Sequence, residues 1–345
     1  MAPSSVSPTA TGHRISRRGS PACASPSTSS TRASRLFEAR TLPGEPLSGL
    51  VAAPHTPFDA AGDLDLSVVE GQARHLADSG VTAVFAGGST GEFSSLTGKE
   101  RFELHRRWLE VGPAHNLKVV IHCGSNCQRT LCDLAGAAEE GGADAIAAVA
   151  PHYLRPASSA DLAAYFAPVS VAAVATPFYY YDIPALTGVP AATAELLEMM
   201  AKEVPTFFGV KSTTGTIDGL KVALAALDGT LDVLHGSDET LLDGLEAGVK
   251  GAVGSSYNYA ASIYLDIIEA HNRGEGERAQ RLQARAAQMI ETIAFYGYGA
   301  AAKQLMAAVG CPVGLPRPPL RPLDEATFGA LIDELRAGGV VDLDR

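Results

Sequence analysis

The sequence predicts an α/β protein, a closed (β/α)8 TIM barrel of parallel strands with a helical extension at its C-terminus. From residue 49 onward, apolar segments of strand length alternate with segments of helical periodicity. The strand segments are almost continuously apolar, which is typical of parallel strands that are buried on both faces. A doubly wound sheet is the alternative, but no G-x-G-x-x-G motif follows the first strand segment.

Eight segments are predicted to be strands, because they are short, apolar and bounded by Gly, Pro or polar residues. In chain order they are Leu50–Ala53, Val81–Ala86, Lys118–Cys123, Ala145–Ala150, Phe178–Asp182, Thr206–Lys211, Leu231–His235 and Gly251–Gly254.

Helical signals lie between these strands. One apolar helical face runs from Leu66 to Leu76 and ends before Gly80. A second helix is predicted to begin at Thr97, where Glu100 completes a capping box. The apolar positions of this second helix are Phe102, Leu104 and Leu109.

After the eighth strand the chain continues with helical spacing alone. The predicted helices are Ala261–Asn272, Glu277–Phe295, Ala300–Val309 and Asp324–Ala337, and the Pro-rich segment Pro312–Pro322 links the last two. We therefore expect residues 46–258 to form the barrel core. Residues 259–345 would then form the last barrel helix and the C-terminal extension.

The first 37 residues differ from the rest in composition. Residues 1–37 contain ten Ser and five Arg, no Asp or Glu, and no apolar stretch of the kind found in secretory signals. Such a composition cannot pack a core, so residues 1–45 are predicted to be disordered or targeting-like. We expect a cytoplasmic location, or an organelle if residues 1–37 are a transit peptide.

The overall composition excludes several kinds of partner. The chain has 345 residues, of which 46% are hydrophobic and 19% charged, so it can bury a large core. A net charge of −11 argues against nucleic acid or an anionic membrane as partner, and no apolar run is long enough for a membrane helix. The five cysteines form no C-x-x-C pair, so no metal site is predicted. The weak alternative is a metal site formed by His122, Cys123, Cys127 and Cys132.

Lys211 is the candidate catalytic residue. It ends the sixth strand segment, and an amine in an apolar setting can form a Schiff base with a carbonyl substrate. Active sites of such barrels lie at the carboxyl ends of the strands, and of the seven lysines only Lys211 is found there. Lys118 and Lys250 lie at the opposite strand ends, and the remaining lysines lie in helical segments. The alternative interpretation is a solvated surface lysine.

Other strand ends at the same face are polar. Strand two leads into a Gly-rich turn in which Ser89, Thr90 and backbone N–H groups could bind a carboxylate, although a plain turn is the alternative. In strand five, Tyr179 and Tyr181 point to one side and Tyr180 to the other. A tyrosine inside the barrel could transfer protons near the amine, whereas three packing aromatics are the alternative.

Strands seven and eight end in carboxylate and hydroxyl groups. Gly236, Asp238 and Glu239 follow strand seven, and Ser255 follows strand eight. Such groups bind sugar hydroxyls, although acidic residues at a helix start are also favoured by the helix dipole alone. Together with the amine of Lys211, an anion site and a tyrosine, they predict Schiff-base chemistry on a polyhydroxylated keto acid.

Four motifs carry a family resemblance: Gly88-Ser89-Thr90-Gly91-Glu92, Tyr181-Asp182-Ile183-Pro184, Gly209-Val210-Lys211 and Gly254-Ser255-Ser256-Tyr257-Asn258. With these motifs, residues 49–323 resemble the dihydrodipicolinate synthase and N-acetylneuraminate lyase superfamily of class I aldolases. The motif spacing is also similar to that of the superfamily.

Within this superfamily the resemblance is to the N-acetylneuraminate lyase branch. The synthase branch has an arginine where this chain has Leu186. The lyase branch has a threonine at the position of Thr213 and a Gly-x-Asp-Glu turn, which residues 236–239 match. Two residues depart from the pattern, both expected on the sugar side of the site. Asp182 stands where Asn or His is usual, and Ser237 stands where some lyases have a large aromatic residue.

The resemblance implies a role for each candidate residue. Lys211 would form a Schiff base with sialic acid, and Tyr181 would assist cleavage to N-acetylmannosamine and pyruvate. The iminium is the electron sink, so the resemblance implies neither a metal nor an organic cofactor. Tyr153 would reach the site of a neighbouring subunit in a homotetramer. The implied substrate-binding residues are Ser89, Thr90, Thr213, Gly236, Asp238, Glu239 and Ser255.

Three alternatives stay open on the sequence. Asp182 and Ser237 suggest an aldolase for another 2-keto-3-deoxy sugar acid. The second alternative is a condensation reaction that uses pyruvate, as in dihydrodipicolinate synthase. The third is a non-catalytic protein that binds sugar acids, because a fold does not guarantee activity.

Overall fold

The computed structural model describes residues 44–339, so the predicted disordered or targeting-like segment lies almost entirely outside the described residues. Eight parallel strands close a barrel in chain order, with β8 pairing β1. The predicted (β/α)8 barrel is therefore confirmed. The strands are β1 (Gly49–Ala52), β2 (Ala83–Ala86), β3 (Lys118–His122), β4 (Ala145–Val149), β5 (Phe178–Asp182), β6 (Phe207–Ser212), β7 (Asp232–His235) and β8 (Gly251–Gly254).

Helices connect successive strands and continue after β8. Within residues 44–339 they are α1 (Val69–Asp78), α2 (Gly98–Val111), α3 (Gln128–Glu140), α4 (Ser159–Phe166), α5 (Val169–Ala172), α6 (Pro184–Thr187), α7 (Ala194–Glu203), α8 (Ile217–Ala225), α9 (Leu241–Ala247), α10 (Tyr257–Asn272), α11 (Gly276–Phe295), α12 (Tyr298–Ala308) and α13 (Glu325–Gly338). None of these helices combines the length and the apolar character that crossing a membrane requires.

The start of α2 confirms the predicted capping box. Thr97 Oγ1 accepts from the Glu100 N–H at 3.2 Å, and the Thr97 N–H donates to the Glu100 carboxylate at 2.8 Å. The apolar face of α2 is only partly as expected, because Phe102 is exposed. The helix instead turns Arg101 and His105 toward the barrel, where both are buried. Burial of these polar side chains is a tertiary effect that helical periodicity does not reveal.

The barrel interior is filled from alternating strand positions. In β5, Tyr179 and Tyr181 pack inside the barrel, and Tyr180 packs outward against the helices, as predicted. At the amino end of the barrel, Tyr179 Oη donates to the Asp232 carboxylate at 2.5 Å. The same carboxylate accepts from the Leu47 N–H at 2.9 Å. A buried polar cluster therefore closes this end of the barrel.

Gly209 in β6 makes room for this cluster. A Cβ at position 209 would lie 2.6 Å from the Tyr179 ring and would overlap the Asp232 carbonyl oxygen. We expect Gly209→Ala to lower the free energy of unfolding by about 3 kcal/mol, because a packed core resists added atoms. Urea unfolding followed by circular dichroism measures this change. As a control, Gly71→Ala in α1 has open space around it and should raise stability by about 0.5 kcal/mol. Equal effects of the two substitutions would contradict the expectation.

The C-terminal extension packs against the barrel. α10 begins at Tyr257, earlier than the predicted start at Ala261, because the turn after β8 leads directly into the helix. α11 lies along α10, and α12 buries Lys303 together with its apolar residues. The segment between α12 and α13 carries Arg317, which reaches the loop after β2. The extension is therefore in contact with a loop at the carboxyl end of the barrel.

Candidate active site

Lys211 lies at the carboxyl end of β6 and is only 4% exposed. Its Nζ lies 3.9 Å from the centroid of the Tyr181 ring and 4.4 Å from that of Phe85. Both rings belong to the interior of the barrel. Tyr181 and Lys211 are paired across β5 and β6, so neighbouring strands hold the amine and the phenol side by side. A nucleophile and a proton-transfer group are thus adjacent.

His122 at the end of β3 forms the wall beside Tyr181. The two rings are 6.0 Å apart, and the Phe93 ring lies 4.6 Å from the imidazole. Its Nδ1 is 2.9 Å from the Gly87 carbonyl oxygen, and the Val149 N–H donates to Nε2 at 3.4 Å. Burial lowers the pKa of His122 well below its ordinary value. The ring is therefore neutral, with its proton on Nδ1, and it holds the start of the loop after β2.

The loop after β2 carries Ser89 and Thr90, and both residues are half-buried. The Thr56 hydroxyl donates to the Gly91 carbonyl at 2.5 Å. His55 and Thr56 follow β1, so the neighbouring strand supports this loop. The arrangement presents two hydroxyls and backbone N–H groups that are able to bind a carboxylate.

Thr213 follows β6 and lies beside Gly236. Its N–H donates to the Asp182 carbonyl at 2.9 Å. Its Oγ1 is buried and has no hydrogen-bond partner among residues 44–339. A Cβ at Gly236 would lie 2.9 Å from that oxygen, so glycine leaves room there. A buried hydroxyl of this kind is a candidate to bind a hydroxyl of the substrate.

Buried hydrogen bonds join the turns after β7 and β8. Asp238 accepts from the Ser256 N–H at 2.9 Å and from the Ser256 hydroxyl at 2.5 Å. Burial raises the pKa of Asp238 to about 6. Ser255 Oγ lies 2.8 Å from the hydroxyl of Tyr298 in α12, whereas Glu239 is exposed. Asp238 and Ser255 are thus engaged within the protein, and Glu239 is open to solvent.

Asp182 ends β5, but its carboxylate faces the helices. One oxygen accepts from the Ala192 N–H at 2.9 Å, and the other is buried without a partner among the described residues. Burial, and then the charge of Asp182, raise the pKa of the outward-facing Tyr180. The expectation that the Asp182 side chain lies on the sugar side is therefore wrong, because alternation along β5 turns it outward after Tyr181. Ser237, the other departure, is 7% exposed.

Asp182 should make stability depend on pH. Burial raises its pKa to about 6, although the hydrogen bond from Ala192 opposes the shift. The unfolded value is about 3.9, so protonation favours the native state, and stability is lost as the pH rises through about 4 to 6. We expect Asp182→Asn to raise the free energy of unfolding by roughly 2 kcal/mol at pH 7.5 and by little at pH 4.

Urea unfolding at pH 4 and pH 7.5 measures the effect of Asp182→Asn. Asp133→Asn is the matched control, because Asp133 lies exposed on α3. Its effect should be small and the same at both pH values. A stabilisation by Asp182→Asn that does not change with pH would contradict the expectation.

Tyr153 lies at the surface, unlike the buried Lys211. It is 85% exposed, and the next residue, Leu154, is 82% exposed. The N–H groups of His152 and Tyr153 donate to Asn126 Oδ1 at 2.8 and 3.2 Å. The backbone of this segment is therefore held in place while the tyrosine ring projects into solvent.

Several residues around the site are not identified by the sequence. On the sequence alone, His122 is considered only as a possible metal ligand. Its position at the end of a strand is the one sequence feature that indicates a place in the site. Arg101 donates to the carbonyls of His122 and Gly124 at 2.7 and 2.8 Å, but nothing in the periodicity of α2 indicates this. The helical periodicity of α12 likewise gives no indication that Lys303 is buried. Residues 44–339 contain no group of His, Cys, Asp or Glu side chains arranged to hold a metal ion.

Comparison with known proteins relates this geometry to a family. The sequence profile of the Dihydrodipicolinate synthetase family matches residues 46–337. N-acetylneuraminate lyase from Danio rerio is 36% identical over 293 residues, which are 84% of this chain and 95% of that protein. The Homo sapiens N-acetylneuraminate lyase is 37% identical over 283 residues, covering 81% of this chain and 88% of that protein.

A solved structure of N-acetylneuraminate lyase from Proteus mirabilis has the same fold. It superposes with a TM-score of 0.83 at 32% identity, and the match covers 86% of this chain and 100% of that chain. The match to the family profile and the superposition on this solved structure agree with the barrel. The chain belongs to the dihydrodipicolinate synthetase family.

Proposed function

We propose that this chain is a class I aldolase, a carbon-carbon lyase that cleaves N-acetylneuraminate to N-acetylmannosamine and pyruvate. The observation that carries the proposal is the buried amine of Lys211, which lies 3.9 Å from the Tyr181 ring at the carboxyl end of the barrel. Relatives that are 36% and 37% identical and are named N-acetylneuraminate lyase support this substrate. Leu186 is exposed and offers no cation for a second substrate carboxylate, which disfavours the synthase reaction.

The geometry accounts for the cleavage in order. Lys211 Nζ attacks the C2 ketone of the open-chain substrate, and loss of water leaves an iminium. Tyr181 gives its own proton to the water that leaves when the iminium forms, so it is then a phenolate. The phenolate accepts the proton of the C4 hydroxyl as the C3–C4 bond breaks. Its electron pair forms an enamine, while C4 becomes the aldehyde of N-acetylmannosamine. The proton returns from Tyr181 to C3, and water hydrolyses the iminium to release pyruvate and Lys211.

The polar strand ends would bind the rest of the substrate. Ser89 and Thr90 would hold the carboxylate, because their loop presents hydroxyls and backbone N–H groups. The buried Oγ1 of Thr213, which has no partner among the described residues, would bind a hydroxyl near the bond that breaks. The residues proposed for the sugar chain are Thr213, Gly236, Asp238, Glu239 and Ser255.

A homotetramer is part of the proposal. Its support is the exposure of two large side chains near the carboxyl end of the barrel, Tyr153 at 85% and Leu154 at 82%. Covering them in an interface would remove apolar surface from water, and Tyr153 could then approach a neighbouring site. Light scattering after size exclusion measures the mass in solution. The cytoplasmic location and the division at residue 258 stay predictions.

The test of function is pyruvate release, coupled to lactate dehydrogenase, with two substrates at equal concentration. Turnover of N-acetylneuraminate well above that of 2-keto-3-deoxygluconate supports the proposal. The reverse preference would assign the chain to aldolases of other sugar acids. Binding of N-acetylneuraminate without release of N-acetylmannosamine would identify a non-catalytic binding protein.

A further inference from the structure

Lys303 is a second buried lysine within residues 44–339, and it lies in the C-terminal extension. Its Nζ donates to Glu92 Oε1 at 2.6 Å and lies 3.9 Å from the centroid of the Phe58 ring. The side chains of Lys303 and Glu92 are 0% and 6% exposed. Such a buried ion pair is weak evidence for stability, since the cost of desolvation offsets the attraction. Its place beside the loop after β2 suggests another role.

Arg317 holds the second oxygen of the same carboxylate. Its backbone N–H donates to Glu92 Oε2 at 2.9 Å, and its guanidinium lies 4.2 Å from the centroid of the Phe58 ring. We name Lys303, Arg317, Phe58 and Glu92 the Glu92 clamp. The guanidinium also donates to oxygen atoms of Gly62, Ser95 and Glu100 at 2.8, 3.0 and 2.5 Å.

The charges around the clamp are balanced. Lys303 and Arg317 are paired with Glu92 and Glu100, which makes two cations and two anions. Burial lowers the pKa of Lys303 to about 8, although Glu92 opposes the shift. The hydrogen bond from Arg317 lowers the pKa of Glu100 to about 2. A balanced cluster does not attract a substrate anion by its net charge, so any effect on the site is geometric.

Glu92 connects the clamp to the candidate carboxylate-binding loop. Its φ of 54° is left-handed, which is uncommon and costly for a residue other than glycine. Its N–H donates to the Ser89 carbonyl at 3.0 Å, and the Phe93 N–H donates to the Gly88 carbonyl at 3.3 Å. Ser89 and Thr90 lie inside this turn. The grip on the Glu92 side chain therefore holds the turn in a conformation that the backbone alone disfavours.

We propose that Lys303 and Arg317 are positioning residues for the candidate active site. By holding Glu92, they keep the loop of Ser89 and Thr90 in the geometry that binds the carboxylate of a 2-keto acid. This inference rests on the proposed function, because it takes that loop as the carboxylate site. It adds that the C-terminal extension sets the affinity for the pyruvate part of the substrate.

The test measures the pyruvate concentration that gives half-maximal borohydride trapping on Lys211 in the full chain. Lys303→Met removes the ammonium and keeps an unbranched apolar side chain. We expect the half-saturating pyruvate concentration to rise about 10-fold, while kcat for N-acetylneuraminate changes less than about 2-fold. This pattern is expected when ground state and transition state lose the same binding energy. Lys303→Arg keeps the cation and should restore most of the affinity. Lys99→Met, at a lysine whose side chain is 84% exposed on α2, should match the wild type.

Methyl pyruvate separates positioning from a general structural effect, because the ester lacks the carboxylate charge. Lys303→Met should weaken trapping of pyruvate and leave trapping of methyl pyruvate unchanged. Arg317→Met is a milder change that keeps its N–H on Glu92. It should shift the half-saturating pyruvate concentration less, in the same direction, and it keeps the test decisive if Lys303→Met does not fold.

The outcomes distinguish this inference from the proposed function. Unchanged half-saturation in both Lys303→Met and Arg317→Met would overturn the inference alone. An equal loss of affinity for pyruvate and methyl pyruvate would overturn it too. A wild-type chain that traps no pyruvate on Lys211 would overturn the proposed function instead.

Discussion

Lys211→Ala should lower kcat for N-acetylneuraminate by at least about 10⁴-fold, because the Schiff base is the step that makes the carbon-carbon bond labile. The other buried lysine of the described chain, Lys303, is paired with Glu92 at 2.6 Å and cannot substitute. Borohydride reduction with pyruvate should leave a mass adduct on Lys211 in the wild type and none in the variant. The coupled assay of pyruvate release gives the rate.

Two further variants serve as controls for the loss of the Lys211 amine. Lys211→Arg keeps a cation but has no amine able to form the Schiff base, so it should be as inactive as Lys211→Ala. Lys221→Ala removes an exposed lysine of α8 and should retain wild-type turnover. If Lys211→Ala still turns over substrate and carries a pyruvate adduct on another residue, the role assigned to Lys211 is ruled out.

Tyr181→Phe should lower kcat by about 10²- to 10⁴-fold, which is the usual contribution of a positioned acid-base group. The substitution keeps the ring, and therefore the edge-to-face contact with Phe85 at 5.5 Å and the position of Lys211 Nζ. Pyruvate should still be trapped on Lys211 at saturation, because only proton transfer is removed. Steady-state kinetics with N-acetylneuraminate, together with trapping, measure both parts.

Tyr180→Phe is the matched control for this prediction. It removes the same hydroxyl one residue earlier on β5, on the face packed against the helices. We expect turnover within about 2-fold of the wild type, since Tyr180 is remote from the amine. Similar losses in the two variants would show that the hydroxyl of Tyr181 has no specific role in the reaction.

Much of the fold follows from local patterns in the chain. The eight strands, each of four to six residues, lie in the apolar segments of the sequence. They can be predicted because a buried parallel strand is recognised from the apolar character of consecutive residues. The same alternation predicted that Tyr179 and Tyr181 share one side of β5, and the structure shows that this side is the barrel interior. The place of Lys211 at a carboxyl end followed from the order of strand and helix. The capping box at the start of α2 could be predicted from two residues alone, Thr97 and Glu100.

Other features of the site required distant parts of the chain. The buried faces of α2 and α12 include Arg101 and Lys303, although charged residues normally indicate a solvated face. Each is buried because hydrogen-bond acceptors from other elements meet it there. Asp182 was expected near the sugar, but the N–H of Ala192 holds its carboxylate on the helix side. Such partners cannot be identified from the spacing of one segment.

The sequence by itself determined the barrel and the lysine at its carboxyl end, because the order of strands and helices is read locally. Only the tertiary structure decided what holds the loop of Ser89 and Thr90. Lys303 meets Glu92 across 211 residues of sequence, and a contact at that separation depends on how the extension packs against the barrel. Burial and pairing of charges are set by that packing, which no short segment encodes.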